Sequence, residues 1–203
     1  MSRFITFVMF SVAVLAIAGC ADSIAPHHPD GGASPGDGGD ITPTGNVTTV
    51  QVSDRTYTSL INSTSPTDWI YVDFRDGSEA AATAAWDLRF QRFHVSTNGG
   101  ISGTAGVEIS AVTDTAFAAM TAMPDAGYVS DTPDGDDEDT LPEYAFDQGD
   151  SWYDYDPETH VLTPRPIVWA VRTAAGGKLK LEILKYYDPA GSAGWFTLHW
   201  APL

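Results

Sequence analysis

The chain has 203 residues, of which 10 are Lys or Arg and 27 are Asp or Glu, so its formal net charge is −17. This charge excludes nucleic acid as a partner, because phosphate contacts require a surface of Lys and Arg. The single cysteine excludes an intramolecular disulfide and any cysteine-based zinc or iron–sulfur site, which needs several thiolates.

The N-terminus has the pattern of a lipoprotein signal. Residues 4–18 form an uncharged apolar run after Arg3, too short to span a bilayer and typical of a signal-peptide core. The run ends in two small residues and Cys20, an arrangement that resembles a bacterial lipoprotein signal. We therefore expect residues 1–19 to be removed and Cys20 to carry the lipid anchor, whose several acyl chains hold the protein stably on the membrane.

The residue after Cys20 indicates which membrane carries the anchor. Ala21 stands where an Asp would favour retention at the inner membrane, so we expect the outer membrane, with the leaflet left open.

Residues 20–46 are rich in Gly, Pro and Asp and cannot bury enough apolar surface to fold. We expect this segment, the tether, to be flexible and residues 47–203 to form one domain.

Within that domain the apolar residues mostly alternate, which is typical of strands. Residues 67–77 and 86–97 both follow the pattern, and the phase slips between Phe90 and Phe93. Such a slip inside one strand predicts a β-bulge near Gln91 and Arg92.

The C-terminal third predicts a meander. Residues 167–173, 178–188 and 195–203 alternate and are joined by short turns that contain glycine, so we expect three consecutive antiparallel strands. In the middle strand Lys178, Lys180 and Glu182 are expected to face water. Residues 114–120 are the one helix candidate, with Asp114 as N-cap. The predicted fold class is mainly β: a single domain of antiparallel strands with this meander and one short helix.

The chain carries none of the common enzyme motifs. A nucleophile elbow, a zinc-protease motif, a phosphate loop and a dinucleotide fingerprint are all missing from the sequence. We therefore expect a protein that is not an enzyme. A hydrolase with paired carboxylates is a distant alternative, because acidic residues are plentiful.

Two groups of residues could bind metal. The first is an acidic stretch whose oxygens are of the kind that calcium prefers, made up of Asp131, Asp134, Asp136, Asp137 and Asp139. The second is His160, in a predicted turn where packing does not require an imidazole, together with Met120 and Met123. The methionine spacing is equally typical of core packing.

Three sequence stretches resemble the HmuY family, haem-binding lipoproteins on the outer surface of Gram-negative bacteria. They are residues 86–109, residues 151–188 and residues 194–203, and the resemblance extends over about residues 50–203. Its most specific parts are Trp86-Asp87-Leu88, the Thr97–Gly100 tetrad and the C-terminal meander.

The resemblance implies a haemophore-like role without catalysis, in which haem is held between two loops and passed to an outer-membrane receptor. The matching loops are roughly residues 117–135 and 152–165, and iron accepts either histidine or methionine as an axial ligand. The implied axial ligands are His160 with Met123 or Met120, and the implied aromatic pocket residues are Trp152, Tyr153 and Tyr155. The alternative is a structural or partner-binding surface lipoprotein without haem, ordered by calcium in its acidic loop.

Overall fold

Two antiparallel sheets make up most of the structure, a computed structural model that describes residues 41–135 and 140–203. The predicted signal peptide and Cys20 lie outside the described residues. The strands are β1 (Val47–Ser53), β2 (Thr56–Asn62), β3 (Ile70–Asp73), β4 (Ser78–Ala80), β5 (Leu88–Gln91), β6 (His94–Thr97), β7 (Glu108–Val112), β8 (Tyr153–Asp156), β9 (Val161–Pro164), β10 (Val168–Arg172), β11 (Lys178–Tyr187) and β12 (Ala193–Pro202). Within the described part of the chain, no helix is long and apolar enough to cross a membrane.

The larger sheet has six strands in the order β1-β2-β12-β11-β10-β7, and the smaller sheet has four in the order β4-β3-β5-β6. Strands β8 and β9 form a separate two-stranded hairpin. Neighbouring strands β10, β11 and β12 pair antiparallel in sequence order, which confirms the predicted C-terminal meander. The mainly β fold class is confirmed as well.

The core lies between the two sheets. Phe90 of the smaller sheet packs on Phe196 of the larger one, with ring centroids 5.2 Å apart. Phe74 packs edge-on against Trp200 at the same distance, 5.2 Å. Burial of each such side chain stabilises the fold by roughly 1.5–3 kcal/mol. The alternating apolar residues therefore face each other as the sequence pattern predicts.

The β-bulge predicted near Gln91 and Arg92 is wrong. The phase of the apolar residues slips there because the chain reverses direction in a hairpin. Gln91 pairs with His94, so Arg92 and Phe93 form a two-residue turn between β5 and β6. Arg92 has a φ of 51°, the left-handed value that the first central residue of a type II′ turn requires. The two apolar phases belong to two antiparallel strands.

The predicted short helix is a 3₁₀ turn over Phe117–Ala119. Asp114, the predicted N-cap, adopts a left-handed φ of 56°, whereas an N-cap has extended backbone angles; that position is held by Ala116. The turn lies against the outer face of the six-stranded sheet, where Met120 packs with Val168 and Ala170. The chain therefore leaves the helical conformation at Met120, where its side chain packs against the sheet.

Lys180 was expected to face water, and this expectation is wrong. Its side chain lies on the outer face of β11, as the alternation predicts, but the loop after β7 covers it. The Nζ donates hydrogen bonds to the carbonyl oxygens of Phe117 (2.7 Å) and Met120 (2.8 Å). Burial lowers the pKa of this ammonium group. On the same face, Nδ1 of His199 lies 2.9 Å from a carboxylate oxygen of Glu182.

We predict that Asp147→Asn stabilises the protein at neutral pH. Burial, with the nearby charges of Asp131 and Glu143, raises the pKa of Asp147 from 3.8 to about 7. The folded state therefore favours the protonated acid, so this stabilisation is complete below about pH 4 and is lost as the pH rises through 7. Asparagine keeps the neutral form, and its melting temperature should exceed that of the wild type by a few degrees at pH 8, since about 1 kcal/mol shifts melting by about 2–4 °C.

Thermal melts of both proteins from pH 5 to pH 8 measure this difference. The exposed Asp150→Asn is a matched control, which should follow the wild-type pH profile. Parallel profiles for Asp147→Asn and the wild type would contradict the prediction.

Candidate functional site

A pocket of about 480 Å³ lies where three hairpins meet. Its walls come from the β5–β6 turn, the β8–β9 hairpin and the end of the β11–β12 hairpin. We call it the aromatic pocket, and its lining residues are Arg92, Phe93, Tyr153, Tyr155, His160, Leu162, Tyr186, Tyr187 and Ala193. The volume lies within the range of small-molecule sites, about 300–1,000 Å³.

The β8–β9 hairpin positions His160 beside Tyr155. The Asp156 carboxylate caps the turn by accepting hydrogen bonds from the Glu158 backbone N–H (2.8 Å) and the Thr159 hydroxyl (2.7 Å), which hold the pKa of Asp156 below its usual range. His160 closes the turn with a φ of 57°. Its Nδ1 shares a hydrogen bond with the Tyr155 hydroxyl. A turn of this shape therefore brings an imidazole and a phenol together at the pocket.

The hairpin is fixed to the rest of the fold by Trp152 and Tyr187. The Trp152 indole is 1 % exposed, and its N–H donates to the Phe93 carbonyl oxygen at 3.1 Å. The Tyr187 hydroxyl accepts a hydrogen bond of 2.9 Å from the Leu162 backbone N–H. Trp152 was predicted to line the pocket, but it lies behind the wall and supports it; Tyr153 and Tyr155 are lining residues.

The charge at the pocket lining differs in sign from the net charge of this acidic chain. Among the described residues that line it, none has a carboxylate, and Arg92 supplies a positive charge. Burial raises the pKa of Tyr186 to about 12 and also raises the pKa of Tyr153, so both remain neutral phenols. The pocket therefore suits a flat apolar ligand with an anionic edge.

The two predicted methionine ligands lie at a different cavity. A cavity of about 340 Å³ beside the 3₁₀ turn includes Met120 and Met123 in its lining and shares no lining residue with the aromatic pocket. The Met120 side chain is buried in a cluster with Val168 and Ala170. The structure thus brings His160 together with Tyr153 and Tyr155 but not with either methionine, and a His–Met ligand pair stays a prediction.

Asp131, predicted as a calcium ligand, is a buried hydrogen-bond acceptor. It is 1 % exposed, and its carboxylate accepts hydrogen bonds from the Ser96 hydroxyl (2.6 Å), the Thr97 hydroxyl (2.9 Å) and the Ala145 backbone N–H (3.0 Å). These donors occupy both carboxylate oxygens and join β6 to the loop before β8.

The rest of the acidic stretch gives the calcium hypothesis no support. Asp134 is exposed, and Asp136, Asp137 and Asp139 lie outside the described residues. Across residues 41–135 and 140–203, no three His, Cys, Asp or Glu side chains are grouped as a metal site would require.

The motifs that carry the family resemblance hold the scaffold together. The Asp87 carboxylate accepts hydrogen bonds from the Phe74 N–H (2.8 Å) and the Ala174 N–H (2.7 Å), which tie the end of β3 to the turn after β10. Asn98 Nδ2 donates to the Trp86 carbonyl oxygen at 2.8 Å. Gly100 has a φ of 58°, and a Cβ there would lie 1.8 Å from the Asp131 carbonyl oxygen, so only glycine fits.

The pocket lining includes four residues that the sequence pattern did not indicate as site residues: Arg92, Phe93, Tyr186 and Tyr187. Arg92 and Phe93 were not predicted to lie at a pocket, because the phase slip indicated a bulge instead of a turn. The available signal was that aromatic residues stand next to predicted turns in two segments, 153–155 and 186–187, and beside the phase slip in a third, 90–94. Which turns adjoin each other depends on the pairing of distant strands.

A family model matches the chain in sequence, and several solved structures match it in fold. The family model described as HmuY protein matches residues 65–200. A candidate HmuY-like haem-binding protein from Bacteroides vulgatus has a similar structure, with a TM-score of 0.60 and 19 % identity over 77 % of this chain and 96 % of that one. The apo HmuY analogue of Tannerella forsythia gives a TM-score of 0.59 and 14 % identity over 76 % of this chain and 96 % of that chain.

A candidate lipoprotein from Bacteroides fragilis is also similar, with a TM-score of 0.56 and 18 % identity over 75 % of this chain and 94 % of that one. No curated protein matches the chain in sequence. Similarity to solved structures at these identities establishes the fold.

We predict that Asp131→Asn lowers the free energy of unfolding by about 3 kcal/mol, because buried donors lose a charged acceptor. Urea unfolding, with calcium and with a chelator, measures the loss, which should be the same in both. The exposed Asp134→Asn should change stability by less than about 0.5 kcal/mol. A loss for Asp131→Asn that appears only in calcium would contradict the structural role.

Proposed function

The chain belongs to the HmuY family, and on that basis we propose that it binds haem or a related porphyrin in the aromatic pocket. The protein then acts as a binding protein and not as an enzyme. The observation that carries the proposal is the pocket itself, in which aromatic walls, a cation and the His160–Tyr155 pair come together.

The donors and charges of the pocket fit a haem. Its aromatic side chains offer flat apolar surface to a porphyrin ring, and the Arg92 guanidinium can pair with a propionate. His160 and Tyr155 supply a ring nitrogen and a phenol oxygen, both of which are known as haem iron ligands. We assign the iron-facing part of the pocket to this pair.

The similar structures support the same class of ligand. The Bacteroides vulgatus protein is named for haem binding, and the Tannerella forsythia protein as a HmuY analogue. The lipoprotein name of the Bacteroides fragilis protein supports a lipid-anchored place in the cell envelope. We propose that Cys20 anchors this chain to the outer membrane, and that the domain takes up haem there and passes it to an outer-membrane receptor.

We predict that the full chain binds one haemin with a saturable Soret shift. His160→Ala should weaken the affinity by roughly tenfold or more, about 1.4 kcal/mol, because the variant loses a group at the iron-facing part of the pocket. Absorbance titration measures both proteins. Met123→Ala is the matched control. Met123 lines the other cavity, so the haemin affinity of this variant should equal that of the wild type.

Two results would change this assignment. Loss of affinity in Met123→Ala but not in His160→Ala would place the ligand at the other cavity. The absence of any Soret shift beyond that of haemin in buffer would reject haem binding and favour a partner-binding lipoprotein without haem.

We also predict that Cys20→Ala abolishes lipidation. Cells that express the wild type should incorporate labelled palmitate into the protein and retain it in the membrane fraction, because the thiol is the group that is alkylated. Ser23→Ala, close by in the tether, should behave as the wild type. Equal labelling of Cys20→Ala and the wild type would contradict the anchor.

A further inference from the structure

The hydrogen bond between Tyr155 and His160 raises the question of which of the two residues binds iron. The bond joins the phenol oxygen to Nδ1 of the ring. An imidazole nitrogen in this position can accept the phenol proton. The pair can therefore present either a ring nitrogen or a phenolate oxygen to a metal.

The backbone of the β8–β9 hairpin holds the two groups in this arrangement. Tyr155 lies in β8 opposite Leu162, and His160 closes the turn with a φ of 57°. The His160 N–H donates to the Asp156 carbonyl oxygen at 2.8 Å, which locks the turn. An imidazole placed this way costs backbone strain, since non-glycine residues seldom adopt a positive φ. Such strain is consistent with a site for a ligand.

Among the tyrosines of the pocket, Tyr155 is the one suited to meet a metal. The Tyr187 hydroxyl already accepts the Leu162 N–H, and the Tyr186 ring is 3 % exposed within the core. Tyr153 packs against Trp152, with ring centroids 4.8 Å apart. Tyr155 is 52 % exposed and has the imidazole beside its oxygen.

We propose that the Tyr155 oxygen is the iron ligand, that His160 is its positioning residue, and that the pocket therefore selects ferric haem. This inference rests on the proposed haem binding and adds the ligand and the oxidation state. Phenolate is a hard anionic ligand, which favours Fe(III) over the softer Fe(II).

The ligation step balances within the pair. The O–H bond of Tyr155 breaks, its proton moves to Nδ1 of His160, and the phenolate oxygen forms a bond to Fe(III) as a water ligand leaves. No electron is transferred. The imidazolium then donates its Nδ1–H to the phenolate, a charge-assisted hydrogen bond that holds the ligand in place.

The test compares the full-length wild type with Tyr155→Phe, using haemin, dithionite-reduced haem and metal-free protoporphyrin IX as probes. The wild type with haemin should show phenolate ring modes in its resonance Raman spectrum, which histidine and methionine ligands cannot give. Tyr155→Phe should lose these modes and bind haemin roughly tenfold or more weakly. Its affinity for metal-free protoporphyrin should stay within about twofold of the wild type, which shows that the pocket is intact.

Tyr153→Phe removes a different pocket phenol and should keep the phenolate modes. His160→Ala should weaken haemin binding more than binding of reduced haem, because only the ferric form depends on the phenolate. Haemin binding without phenolate modes, or modes that persist in Tyr155→Phe, would overturn this inference and leave haem binding standing. A wild type that binds no haemin would instead reject the proposed function.

Discussion

The aromatic pocket depends on one buried side chain, Trp152. Its indole N–H holds the carbonyl of the β5–β6 turn, and its ring packs on Tyr186 of β11 and Phe196 of β12, with centroids 5.5 Å and 5.1 Å away. Because Trp152 also leads directly into β8, this single residue joins the three hairpins that form the walls. Together with the hydrogen bond between the Leu162 N–H and the Tyr187 hydroxyl, this anchor fixes the three hairpins relative to one another.

The chain is acidic, yet the ligand proposed for it is anionic. At physiological ionic strength exposed charges are screened beyond about 8 Å, so the net charge of −17 acts only weakly at distance. What matters is the composition of the pocket itself, where Arg92 is positively charged and none of the other described lining residues has a carboxylate. The charges that line the pocket therefore matter more to the proposed ligand than the net charge of the chain.

Features that depend on neighbours along the chain could be predicted from the sequence, and features that depend on distant contacts could not. Alternation in residues 167–203 predicted the meander, because residue i and residue i+2 share a face wherever the strand pairs. The same alternation placed Lys180 on the outer face but could not reveal the loop that covers it. The same holds for the site. The β8–β9 hairpin, which carries Tyr155 and His160, forms between neighbours along the chain and could be predicted. The separation of His160 from Met120 and the burial of Asp131 result from long-range packing and could not.

The residues of this domain fall into two groups that differ in what a substitution would change. The first group includes Asp87, Asn98 and Gly100, whose hydrogen bonds and tight backbone contact belong to the scaffold. Those residues fix how the sheets and loops meet, and none of them lines the aromatic pocket. A substitution at Gly100 disturbs the scaffold, whereas the Tyr155 side chain is 52 % exposed and takes no part in these contacts. The Trp86-Asp87-Leu88 and Thr97–Gly100 motifs thus belong to the scaffold and not to the pocket lining. Substitutions at the hairpin tips would therefore change the pocket lining while these scaffold contacts stay in place.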